Sequence, residues 1–225
     1  MSQAPATPTS DTAAPRALPQ RIAPLIEGLT ERIEQNAQRI AIASDTEAVH
    51  DFRVAIRRLR SVLATTRKLY DKRRIDTLTK ELKDFASGCG QLRDEEVLGE
   101  TLARADLDEA TREQVSSWLD SRRSHEATMR QAAATLAGST QIASCLTSIR
   151  ELTSPDAETC AKAPTLERFT RKQLRKARAR IERLLPAESS DGEGLHRLRI
   201  AFKRLRYTAD ILRELANSPP ETLTT

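Results

Sequence analysis

Two twelve-residue segments carry most of the chemistry available to this sequence. Residues 49–60 read VHDFRVAIRRLR and residues 195–206 read LHRLRIAFKRLR. They align without a gap. His50, Arg53, Arg58 and Arg60 recur as His196, Arg199, Arg204 and Arg206, and Lys203 stands where the first copy has Arg57. On a helix, Val49, Phe52, Ile56, Leu59 and Leu63 form one apolar stripe. His50, Arg53, Arg57 and Arg60 form a second stripe, about 110° away by the helical period. The second copy repeats both, as Leu195, Leu198, Phe202 and Leu205 beside His196, Arg199, Lys203 and Arg206. Arg58 and Arg204 project about 100° beyond the cationic stripes.

Like charges stacked at i,i+3 and i,i+4 oppose helix formation. Something anionic should offset them. One source is internal, since arginines beside a helix seam pair with acids on neighbouring helices and cover apolar surface with their stems. The other is a bound polyanion, whose oxygens a guanidinium takes in a fork. Guanidiniums one turn apart stand about 5–6 Å from each other and form a ladder along which an extended anion can lie.

The elements that present these ladders are expected to be helices throughout. Aromatic residues make up 3% of the chain, there are 7 Gly, and no Pro occurs between residues 25 and 154. That composition favours helices and disfavours packed sheets. Residues 1–17 read as a disordered arm rich in Ala, Pro and Thr. Ile22, Leu25, Leu29, Ile33 and Ile40 mark a first helix from about Arg21, and Ser44 to Glu47 reads as a capping box for the second, which runs to about Tyr70. Ile75, Leu78, Leu82 and Phe85 mark a third, ended at Gly88-Cys89-Gly90. A short helix is expected at about 95–103. A long one at about 108–136 should turn Val115, Trp118, Leu119, Met129 and Leu136 inward, with Gly138 at its C-terminal cap. Ile142, Cys145, Ile149 and Leu152 mark another. Residues 153–164 read as a linker, followed by a basic helix over about 165–185 and a last helix over about 195–216.

Charge separates along this framework. The formal net charge is +5, yet residues 45–75 carry +5, residues 76–164 carry −6 and residues 165–213 carry +8. The basic excess is mostly arginine, which favours planar recognition of carboxylate or phosphate. Lys172, Arg175 and Arg178 on the basic helix extend the candidate surface, with a solvated basic face as the equal alternative. Three His and three Cys show no metal-ligand spacing, so no metal or cofactor is expected. His125 has no counterpart in the other copy and reads as structural or exposed. No apolar run is long enough to span a bilayer, and the N-terminus has no signal-peptide pattern. A cytoplasmic chain with reduced thiols is expected.

The signature H-x-x-R-x-x-x-[RK]-R-x-R, present twice in a helical chain, resembles the CHAD domain, the conserved histidine α-helical domain. Gln91-Leu92-Arg93-Asp94 resembles that family's LRD element, and Arg206-Tyr207 its closing RY pair; Ser61 replaces the tyrosine in the first copy. The resemblance spans about residue 21 to the end. It implies an all-α fold of two pseudo-twofold-related antiparallel helical bundles, the first over about 21–152 and the second over about 165–225, with a basic groove or pore between them. Only eighteen residues follow Tyr207, so either the sequence is a truncated piece of a longer chain or the second bundle is incomplete. The resemblance further implies a non-catalytic binding module for inorganic polyphosphate, with phosphate or sulfate as smaller occupants and polyphosphate granules as a candidate location. The ligand role falls on His50, Arg53, Arg57, Arg58, Arg60, His196, Arg199, Lys203, Arg204 and Arg206.

Two other classes compete. An enzyme of the triphosphate-processing kind needs a glutamate-rich barrel and an ExExK motif; the chain has neither, and it has no P-loop or HExxH. A nucleic-acid binder or scaffold would use the same basic blocks, but the aromatic residues on which single strands stack are scarce.

Overall fold

A computed structural model describes residues 16–42, 47–185 and 191–217. Every regular element among them is helical, as the composition requires. The order is α1 (Leu18–Ala41), α2 (Ala48–Thr66), a single 3-10 turn (Arg67–Leu69), α3 (Lys72–Gly88), α4 (Gly90–Ala103), α5 (Glu109–Ala137), α6 (Thr140–Thr153), α7 (Ala157–Lys162), α8 (Leu166–Glu182) and α9 (Gly192–Asn217).

Local chemistry sets several boundaries. Asp71, Asp108, Asp156 and Thr165 each accept a hydrogen bond from the backbone N–H three residues on, at 2.7–3.3 Å, which starts α3, α5, α7 and α8. Pro19 sits in the first turn of α1, where its missing N–H costs nothing. The expected pairing of Ser44 with Glu47 involves Ser44, which lies outside the described residues; Glu47 itself stands at the N-cap of α2 without a side-chain capping bond. Two expectations are corrected. The stretch 153–164 holds α7, started by the Asp156 cap, with contacts to α1. The fourth helix begins at Gly90, so that Leu92 and Arg93 belong to its first turn.

Helix α2 is the centre of the molecule and packs against α1, α3, α4 and α9. Its apolar stripe, Val49, Phe52, Ile56, Leu59 and Leu63, is at most 1% exposed. It meets Ile22, Ile26, Leu29 and Ile33 of α1 and Ile75, Leu78 and Leu82 of α3 in one continuous core. Burying each such side chain contributes about 1.5–3 kcal/mol, enough to overcome the repulsion along the adjacent cations. Trp118 departs from the expected inward set: it is 42% exposed, and the Arg122 guanidinium lies over its ring, 5.0 Å from the centroid.

The second copy of the stripe meets a different environment. Helix α9 packs on α8 and on α2, but no helix stands to it as α3 stands to α2 among the described residues. Leu195 is 40% exposed and Phe202 48%. Together with Leu174, Ile181 and Leu205, Phe202 lines an apolar groove between α8 and α9.

Candidate anion-binding site

The two repeat helices meet each other, and their contact makes the site. A cavity of about 750 Å3 lies between α2 and α9, lined by Arg57, Arg58 and Ser61 from α2 and by Arg206, Tyr207, Asp210, Arg213 and Glu214 from α9. Four guanidiniums and two carboxylates therefore face one space. Arg58 crosses it: its Nη2 donates to Glu214 Oε2 at 2.9 Å. Arg213 donates to Asp210 at 3.3 Å on its own helix. Arg57 and Arg206 have no carboxylate partner among the described residues; Arg206 lies over the Tyr207 ring at 5.3 Å. Both are exposed and free to take an anion.

Arg57 also borders a second cleft, of about 480 Å3, on the opposite flank of α2. Arg53, Arg57 and Arg60 line it together with Lys83 of α3 and Gln91 and Asp94 of α4. Arg53 is committed to structure there: its Nη1 donates to the Ala86 carbonyl at the end of α3, satisfying one of the orphan carbonyls of that helix. An added Cβ on Gly90 would lie 3.1 Å from the same Nη1, a tight approach, so a side chain there would push the Arg53 guanidinium aside by a few tenths of an ångström. Arg60 has a buried Nε with no hydrogen-bond partner. Burial lowers its affinity for the proton, and the Asp84 carboxylate partly restores it.

The remaining expected residues are distributed elsewhere. His50 is exposed at the start of α2, and His196, Arg199, Lys203 and Arg204 are exposed along α9; none lines either cleft. Lys172 borders a separate cleft with Lys68 and Arg168. Arg175 and Arg178 rim the apolar groove of α8–α9, where Arg178 pairs with Glu182 at 2.6 Å. Sequence reasoning missed Arg213 and Lys83. Arg213 could have been found, because it lies seven residues after Arg206 on the same face of α9. Lys83 could not, since its position depends on how α3 packs.

The Gln91–Asp94 segment has a structural part. Leu92 is buried, and Arg93 donates to Glu100 at 3.2 Å and to Glu96 at 3.4 Å. Arg130 of α5 reaches Glu96 at 3.3 Å. Burial outweighs these two cations and holds the Glu96 carboxyl above its ordinary pKa. The cluster fixes α4 against α5, and α4 in turn forms one wall of the second cleft.

The fold and site thus define an all-helical protein with guanidiniums gathered between two copies of one helix. The CHAD domain profile matches residues 24–224, and the chain belongs to the CHAD domain family. It is 30% identical over 200 residues to uncharacterized proteins of Mycobacterium tuberculosis, MT2285 of strain CDC 1551 and Rv2226 of strain H37Rv, a match covering 83% of this chain. The chain spans 38% of the length of those relatives. Its fold is similar to the crystal structure of the CHAD domain from the plant Ricinus communis, with a TM-score of 0.66, 24% identity, and coverage of 89% of this chain and 67% of that one. Among the described residues, no helix is long and apolar enough to cross a membrane.

Proposed function

We propose that this chain is a non-catalytic binding module for inorganic polyphosphate, acting in the cytoplasm, which holds its ligand between α2 and α9. The observation that carries the reading is the convergence of Arg57, Arg58, Arg206 and Arg213, two from each copy of the repeated helix, on one cavity. Polyphosphate carries about one charge per unit and offers no bases, so charge and spacing alone recognise it. Arg57 and Arg206 provide guanidiniums without carboxylate partners among the described residues, and Arg57 opens onto the second cleft, where Arg60 and Lys83 continue the cationic track. The arrangement binds an extended anion better than a compact one, because several guanidiniums engage a single chain and each further contact is intramolecular.

Titration calorimetry with polyphosphates of graded length tests this. Long chains should bind far more tightly than pyrophosphate, log affinity should fall linearly with log salt, and no orthophosphate should be released. Equal affinity for pyrophosphate and long chains removes the reading, and stronger binding of single-stranded RNA than of long polyphosphate replaces it with a nucleic-acid function.

A further inference from the structure

The cavity between α2 and α9 contains its own anion. Glu214 of α9 reaches across to Arg58 of α2 at 2.9 Å, both side chains about half exposed to solvent. The pair joins the two repeats, and it sits beside Arg57 and Arg206, which carry no such partner among the described residues. A half-exposed ion pair of this kind is weak, because water screens it and two flexible side chains must be held. It is therefore exchangeable. We propose that Glu214 is a built-in competing carboxylate, which occupies Arg58 in the empty site and is displaced by the bound polyanion; this rests on the reading of the cavity as the polyphosphate site.

The exchange conserves the charge state of Arg58 and alters only its partner. A phosphate chain anchored on Arg57 and Arg206 brings its next units to Arg58 at high effective concentration, so it competes with a tethered carboxylate where a free single phosphate does not. Glu214 thus raises the number of linked phosphates needed for occupancy. It also leaves α2 and α9 joined in both states, by the ion pair before binding and by the ligand after it.

Calorimetry with long-chain polyphosphate at fixed low salt reads the competition. Glu214→Gln should bind about three- to fivefold more tightly than the native chain, the range expected from losing a screened ion pair. The gain should vanish in an Arg58→Gln background, since the guanidinium that Glu214 withholds from the ligand is then gone. Glu167→Gln, which removes a carboxylate on α8 that lines neither cleft, should leave affinity unchanged. Unchanged or weaker binding by Glu214→Gln overturns the proposal. So does an equal gain in the Arg58→Gln background or from Glu167→Gln, either of which marks a general charge effect. If the native chain binds no polyphosphate, the function proposed above fails and this inference fails with it; if the native chain binds and Glu214→Gln does not differ, only this inference fails.

Discussion

Ile56 and Phe202 occupy the same place in two copies of one helix, yet Ile56 is completely buried and Phe202 is 48% exposed. The local sequence is nearly the same, so the difference lies in the neighbours. Helix α3 covers Ile56, and nothing among the described residues covers Phe202 in the same way. The two positions should lose very different amounts of stability on truncation. Ile56→Ala opens a cavity in the core and should cost about 2–5 kcal/mol. Phe202→Ala removes a half-exposed ring and should cost under about 1 kcal/mol, typical of sites outside the core. Urea unfolding of both variants checks the contrast, and equal losses would mean that Phe202 is covered in solution.

Arg53 and Arg57 lie one turn apart on the same cationic stripe but have different duties. Arg53 holds the end of α3 through the Ala86 carbonyl. Arg57 has no carboxylate partner among the described residues and borders both clefts. Arg57→Ala should therefore weaken polyphosphate binding about tenfold, the loss of a charge-assisted contact, while leaving the melting temperature unchanged or slightly raised as like-charge repulsion is relieved. Arg53→Ala should lower the melting temperature by several degrees by leaving a helix-end carbonyl without its donor. Lys203→Ala, at the position of Arg57 in the second copy but outside both clefts, should change affinity less than Arg57→Ala. Melting curves and calorimetry on the three variants separate these outcomes.

Much of this division was readable before the structure and some of it was not. The helices follow from their 3.6-residue periodicity, and the repeat announced itself by the recurrence of His50, Arg53 and Arg60 at His196, Arg199 and Arg206. Periodicity gives the direction of a side chain on its own helix, not the element that faces it. That is why Trp118 was expected inward, and why one sequence pattern is core at Ile56 and surface at Phe202. The same limit applies to the ladders. Both were legible as cationic, but the meeting of Arg57 and Arg58 with Arg206 and Arg213 depends on how α2 crosses α9, and the capture of Arg53 by Ala86 on where α3 ends. Helix α7 is six residues long, too short for periodicity to reveal, and only its Asp156 cap marks it.

The three cysteines should differ in reactivity. Burial pushes the Cys89 thiol up to about 11 and the Cys145 thiol up to about 12, so neither supplies thiolate near neutral pH. Cys160 is only partly buried. A chromogenic disulfide reagent at pH 8 should titrate Cys160 within minutes, and the other two only after denaturant is added. Rapid reaction of three thiols in the native protein would mean that the core around α3, α4 and α6 opens readily.

The contact between α1 and α6 gives the fold a defined response to acid. Arg150 of α6 donates to both carboxylate oxygens of Glu34 on α1, at 2.7 and 2.9 Å, and at 2.9 Å to Glu27, about two turns earlier on the same face of α1. Hydrogen bonding from Arg150 holds the Glu34 carboxyl below its ordinary value of 4.5, against a smaller opposing effect of burial. A carboxyl with a depressed pKa in the folded state binds its proton more readily when unfolded. Its contribution is therefore fully present above 4.5 and is lost as the pH falls through the lower, folded value. The pair is well formed but partly exposed, so its worth at neutral pH is about 1 kcal/mol or less. Glu34→Gln should lower stability by about that amount at pH 7 and by progressively less as the pH falls below 4.5, until the two proteins unfold alike. Denaturant midpoints measured from pH 7 to pH 3 read this convergence directly. A variant that stays less stable than the native chain by a constant margin down to pH 3 would show that Glu34 acts through packing and not through its charge.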